Sequence, residues 1–256
     1  MGLLLGLYLW AIRRLQPRKF AADDGPTTGR QIFLFLAGWI LLWVGLDWPI
    51  GVLAAGYLLS VKTVQYLLIA YIAPGLMLLG MPRWLLRRII RSRWAFRVAR
   101  VLARPVLPLA IANAVLLLSH TPTVINGLSG SQVGVFAMDV TLVVSGLILW
   151  WPALGRVPEV KPMSYPARIG YLALNLLLPT VPASFFTFSQ YPIYTLYELA
   201  PRVGGISAVS DQQVAGLVMK VAGGFLILGV MSVMFWRWYA TEEKTEHEAV
   251  GFPSGK

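Results

Sequence analysis

Four ionisable side chains stand inside or at the edge of long apolar runs: Lys62, His120, Asp139 and Lys220. His120 ends a run that begins near Ala112, and Asp139 lies in a second run from Val135 to Trp151. The intervening segment, residues 121–132, carries no charge. Two membrane-crossing helices joined by a tight loop would bring the imidazole and the carboxylate to the same end. Lys62, Gln65 and Tyr66 recur at spacings of three and four, which puts them on one helix face. Asp211, Gln212 and Gln213 open the last apolar run, with Lys220 about 13 Å further along a helical rise. A charge at that depth in lipid costs several kcal/mol unless it is paired or hydrated. Asp139 or Asp211 is therefore the expected partner of Lys220 or Lys62. Together, Lys62, Gln65, Tyr66, His120, Asp139, Asp211, Gln212 and Lys220 predict an outer polar cavity lined by the third, fourth, fifth and seventh spans.

Each of these residues also has an ordinary structural reading. His120 can close a helix by bonding a carbonyl, and Asp211 can cap a helix start. Asp139 and Lys220 can form a structural ion pair. Met138, Met219, Met231 and Met234 are thioethers, which suit copper(I); packing is their commoner role, and the last two lie too deep to join the others. His247 sits in a charged tail. No Gly-rich phosphate loop, pair of haem-ligand histidines or nucleophile–base pair is evident, so the sequence does not read as an enzyme.

The elements that must position these groups follow from composition. The chain has 256 residues, of which 57% are hydrophobic and 13% charged, with a mean hydropathy of +0.67. A soluble domain carries roughly 25% charged residues, so this is an integral membrane protein. There are no cysteines, which excludes disulfides, thiolate metal sites and catalytic thiols. The predicted fold is all-α, a polytopic bundle of about seven transmembrane helices in a single membrane domain. The spans fall at about 2–12, 32–46, 61–79, 105–120, 134–154, 169–188 and 211–239. Kinks are expected at Pro74, Pro179 and Pro182, and the tail 241–256 is expected to fray.

Net charge is +11, and the basic residues are unevenly placed. Arg83, Arg87, Arg88, Arg91, Arg93, Arg97, Arg100 and Arg104 alternate with apolar residues between the third and fourth spans. This reads as an amphipathic helix, about 83–103, lying on an anionic leaflet rather than as a nucleic-acid surface. With the first linker cytoplasmic, Arg13, Arg14, Arg18, Lys19, Arg30, Arg156, Lys161, Arg168, Arg237, Lys244 and Lys256 fall on the same side, leaving Lys62, Arg202 and Lys220 elsewhere. The bias predicts seven spans with the N-terminus outside and the C-terminus in the cytoplasm.

Five stretches carry a resemblance: Gln65-Tyr66 with Ala73-Pro74-Gly75-Leu76 and Leu79-Gly80-Met81-Pro82; Ser119-His120-Thr121-Pro122; Leu149-Trp150-Trp151-Pro152; Tyr191-Pro192-Ile193-Tyr194; and Asp211 to Met219. In this order they resemble the CtaG-type cytochrome c oxidase assembly proteins over roughly residues 57–245. The resemblance implies a role in maturing a respiratory haem-copper oxidase, plausibly in copper delivery. It also implies partners among the oxidase subunits or a respiratory supercomplex. The family pattern usually has histidines in the third span, before a proline at the end of the fourth, and in the fifth. Here only His120 is kept; Tyr66 and Asp139 occupy the other two positions. Copper on His120, aided by Asp139, Met138 or Tyr66, is the alternative to action through protein contacts alone. A proton or small-solute transporter using Asp139 and Lys220 is a third reading.

Overall fold

The computed structural model describes residues 2–17, 24–155, 157 and 159–249, with side chains described as far as residue 243. All regular structure among these residues is helical. The chain begins with α1 (Gly2–Leu15), α2 (Gly29–Leu46), α3 (Ile50–Gly56) and α4 (Leu59–Tyr66). A π-helical turn, Leu67–Ile72, joins α4 to α5 (Ala73–Gly80). Then come α6 (Arg83–Ile89), α7 (Arg93–Leu102), α8 (Val106–Ser119), α9 (Pro122–Leu128) and α10 (Gln132–Leu154). The chain continues with α11 (Tyr165–Leu177), α12 (Thr180–Phe188), α13 (Thr195–Glu198) and α14 (Ala208–Ala249).

Five helical stretches are long and apolar enough to cross a membrane: Gly29–Gly56, Leu59–Gly80, Gln132–Leu154, Tyr165–Phe188 and Ala208–Glu243. α7 and α8 qualify only as a pair, and they meet at 78°. The expected count of seven is not confirmed by length and composition. α1 and α8 have 14 residues each, about 21 Å of rise against a hydrocarbon core of about 30 Å.

Other expectations are corrected in detail. The single basic helix is two, α6 and α7, because the Ser92 hydroxyl caps a new start by accepting from Ala95 N–H at 3.1 Å. Seven of its arginines are exposed, but Arg87 is half-buried, its guanidinium 2.8 Å from Asp24 and 2.7 Å from Glu159. The segment 121–132 contains α9, opened by Pro122 at a position where its missing N–H is harmless. α14 runs on into the tail as far as Ala249. Arg18, Lys19, Arg156, Lys256 and the side chains of Lys244 and His247 lie outside the described residues.

The third span is the centre of the bundle. Pro74 has no N–H, and its ring crowds the carbonyl four residues back, that of Ala70. The backbone responds by widening, so that Ala73 N–H donates to Leu68 O, five residues back. The kink expected at Pro74 is thus a π-turn N-terminal to it. α10 packs onto this distortion. Trp150 donates its indole N–H to Tyr71 O at 2.7 Å, and a Cβ on Gly146 would collide with Ala70 O and Pro74. Small residues let membrane helices approach this closely. Elsewhere, the sixth span breaks between α11 and α12 at Pro179, and Tyr171 of α11 donates to Leu149 O of α10 at 2.9 Å.

Gly146→Leu is expected to abolish folding, whereas Gly170→Leu, with open space around the new side chain, is expected to be neutral. Trp150→Phe should lower stability by about 0.5–1.5 kcal/mol by removing a buried hydrogen bond. Thermal unfolding in detergent checks all three.

Candidate functional site

The polar residues meet where α4, α8, α10, α12 and α14 converge. Lys62 sits on the first turn of α4. Its ammonium donates to Gln65 Oε1 at 2.7 Å and lies 3.7 Å from Asp139 Oδ1 of α10. Gln65 spends its other end on Gly45 O at 2.9 Å, one of the orphan carbonyls at the end of α2. Both members of the ion pair are largely buried, each side chain 12% exposed.

His120 closes α8. Its Nδ1 lies 2.8 Å from Leu116 O. A carbonyl can only accept, so Nδ1 carries the hydrogen, and in the neutral ring Nε2 keeps a lone pair. The imidazole meets Tyr66 edge-on, with centroids 5.0 Å apart and planes at 87°. A row of rings continues on both sides: Tyr71 beyond Tyr66 at 5.6 Å, then Phe186 at 6.0 Å from His120, Tyr194 at 5.7 Å from Phe186, and Tyr197 at 6.1 Å from Tyr194. Tyr194 donates to His120 O and Tyr197 to Ala54 O, each at 2.7 Å. Burial pushes both phenols above the ordinary tyrosine value, so both keep the proton they donate.

Asp211 does cap a helix, but not its own. Its Oδ2 accepts from Leu59 N–H at 2.6 Å, and its Oδ1 from Ser60 N–H at 3.3 Å and from the Ser60 hydroxyl. A carboxylate from α14 therefore satisfies the first N–H groups of α4, where the helix dipole also favours negative charge. Gln212 ties the 189–194 segment down, accepting from Ile193 N–H at 2.7 Å and donating to Tyr191 O at 3.3 Å and Phe186 O at 3.5 Å.

Lys220 does not meet the carboxylate expected for it. It is exposed and donates to the Thr180 hydroxyl. The void beside Tyr66 holds about 20 Å³, room for about one water, and Tyr71, Asn175, Met219 and Lys220 share its lining. A second buried polar contact lies outside the expected cluster: Asn113 of α8 donates to Asn175 Oδ1 of α11 at 3.2 Å. Asn113, Asn175, Ser60, Phe186 and Tyr197 were not singled out from sequence. Their one signal is an amide, hydroxyl or aromatic ring in an apolar run, which does not specify a partner.

These donors do not fit a copper site. Among the described residues no three His, Asp or Glu side chains cluster closely enough to hold a metal. Asp139 faces an ammonium, and Met138 is buried in the hydrophobic core. Tyrosine and carboxylate are hard ligands, poorly matched to copper(I).

Lys62→Met should destabilise the protein by about 3–5 kcal/mol by stranding the Asp139 charge, and Lys62→Met/Asp139→Leu should recover most of that loss. Lys220→Met should stay within about 0.5 kcal/mol of the parent. Thermal unfolding of these proteins in one detergent, with Asp139→Leu alone completing the cycle, measures the coupling.

Searches of curated proteins and of solved structures found no match. A family model described as cytochrome c oxidase caa3 assembly factor (Caa3_CtaG) matches residues 6–241. That match takes in the π-turn, the Trp150 contact, the His120 corner and the Asp211 cap, and with most of its length so covered the chain belongs to the Caa3_CtaG family of cytochrome c oxidase assembly factors.

Proposed function

We propose that this protein acts as an assembly factor or accessory subunit of a respiratory haem-copper oxidase through contacts within the bacterial cytoplasmic membrane, and that it catalyses no reaction of its own. The observation that carries this reading is how its rare polar groups are used. Asp211, Gln212, Gln65, Tyr194 and Tyr197 each bond backbone from another part of the fold. They hold a shape together and leave few groups for chemistry. Family membership supplies the oxidase as the partner. The N-terminus is outside and the C-terminus cytoplasmic, which sets the exposed arginines of α6 and α7 against the anionic inner leaflet.

A copper-handling role is the second reading, favoured by the lone pair left on His120 Nε2 once Nδ1 donates to Leu116 O. With one imidazole and no cluster of three His, Asp or Glu side chains among the described residues, the affinity would be weak. Transport through Asp139 and Lys220 finds no support, because Asp139 pairs with Lys62.

Purification under mild detergent is expected to recover oxidase or other respiratory subunits with the tagged protein; recovering none would overturn the contact reading. Metal analysis of the same sample is expected to give less than one copper per chain, unchanged in His120→Ala. Stoichiometric copper lost in that variant would instead establish the copper reading.

A further inference from the structure

Lys220 carries a charge that the rest of the fold does not answer. It lies in the seam between α12 and α14, exposed, with its ammonium on the Thr180 hydroxyl. Among the described residues the ion pairs are those of Lys62 and Arg87, and none includes Lys220. The void whose lining it shares has room for about one water.

Two helices give the same depth for this group. Lys220 is nine residues beyond Asp211, about 13 Å along α14. Thr180 is eight residues before Phe188, the end of α12, about 12 Å. The hydrocarbon core is about 30 Å thick, so the ammonium lies close to its middle. A lysine near the end of a span reaches up to the interface. Here the bond to Thr180 holds the head at the level of the break between α11 and α12. Leu217 and Val221 of α14 and Val181 and Phe185 of α12 are exposed and apolar around it. A charge on such a face is costly unless it is paired or hydrated.

The same geometry narrows the choice of anion. Lipid phosphates lie outside the hydrocarbon core, above a head held at this depth. Among the described residues, a second copy of this chain has no carboxylate to offer there. Asp139 faces Lys62, Asp211 caps α4, and Asp24 and Glu159 hold Arg87. Asp47 follows the last residue of α2 and accepts from Trp43 and Trp48, Glu198 ends α13, and Glu242 and Glu243 stand toward the far end of α14. A carboxylate on a different transmembrane helix reaches the level of Lys220 directly.

We propose that the seam around Lys220 docks a transmembrane helix of an oxidase subunit that carries an aspartate or glutamate near mid-membrane, with the ammonium donating to that carboxylate. The proposal rests on the reading that this protein works through contacts with the oxidase, and it names the surface. Lipid tails are as apolar as leucine, so polar bonds between helices give membrane association its direction. One charged pair at a fixed depth sets both the partner and its register.

The test places a benzophenone side chain at position 217, one turn from Lys220, in the full chain. The protein is irradiated in its native membranes, and the adduct is identified by mass spectrometry. A respiratory polypeptide is expected, linked within a transmembrane segment that contains Asp or Glu. Its yield should fall about tenfold in Lys220→Met, as the loss of one interhelical polar bond implies, and should persist in Lys220→Arg. Lys220→Met is expected to keep the parent's unfolding temperature in detergent, so the loss is one of docking and not of folding. Undiminished adduct in Lys220→Met, a linked segment without an acidic residue, an adduct with a second copy, or lipid adducts alone would each overturn the proposal, even where mild purification still recovers oxidase subunits and the contact reading stands. An acidic transmembrane helix from a non-respiratory protein, lost in Lys220→Met, would instead overturn the oxidase reading and keep the carboxylate dock.

Discussion

Hydrocarbon supplies no hydrogen bonds, so every backbone group released at a helix break must find its partner inside the protein. This fold breaks its helices often and meets that constraint with long side chains from neighbouring elements. Tyr8 reaches Gly80 O, Tyr171 reaches Leu149 O, Tyr194 reaches His120 O, Tyr197 reaches Ala54 O, Trp150 reaches Tyr71 O and Gln65 reaches Gly45 O. Most of these carbonyls lie in the last turn of a helix or beside a proline. Aromatic residues suit the task, because a ring fills apolar space and its tip delivers one hydrogen.

The same economy explains the corner around His120. Asp211 would be expensive in lipid as a free charge, but it closes the start of α4, where several N–H groups would otherwise be orphaned. Lys62, one turn further on, is tethered by Gln65 and neutralised by Asp139. The corner is a joint that fixes α4 against α10 and α14, and His120 completes it by packing between Tyr66 and Phe186.

At the other end, positive charge does two jobs. Arg87 is held, half-buried, between Asp24 and Glu159, so the first linker, α6 and the segment after α10 are pinned at one point. The arginines of α7 are exposed, and the sharp turn between α7 and α8 sets α7 across α8 at 78°. A basic helix in that orientation presents its guanidinium groups to a surface rather than to a channel.

Composition and periodicity were enough to establish an all-helical membrane protein. The motif at Trp150, the corner at His120 and the start at Asp211 were legible as a family signature. Apolar runs, prolines and charge bias are local quantities, readable one window at a time. Whether Lys62 or Lys220 would hold a carboxylate was not local. Both are lysines in apolar runs, and only packing turned Lys62 toward Asp139 and left Lys220 exposed beside Thr180. The cap that Asp211 makes spans 152 positions of chain, and no pattern of spacing encodes which helix a carboxylate will reach. The π-turn sits between the two kinds of knowledge. Pro74 made a distortion certain, but only packing brought the glycine and indole of α10 against it, with the indole bonding Tyr71 O.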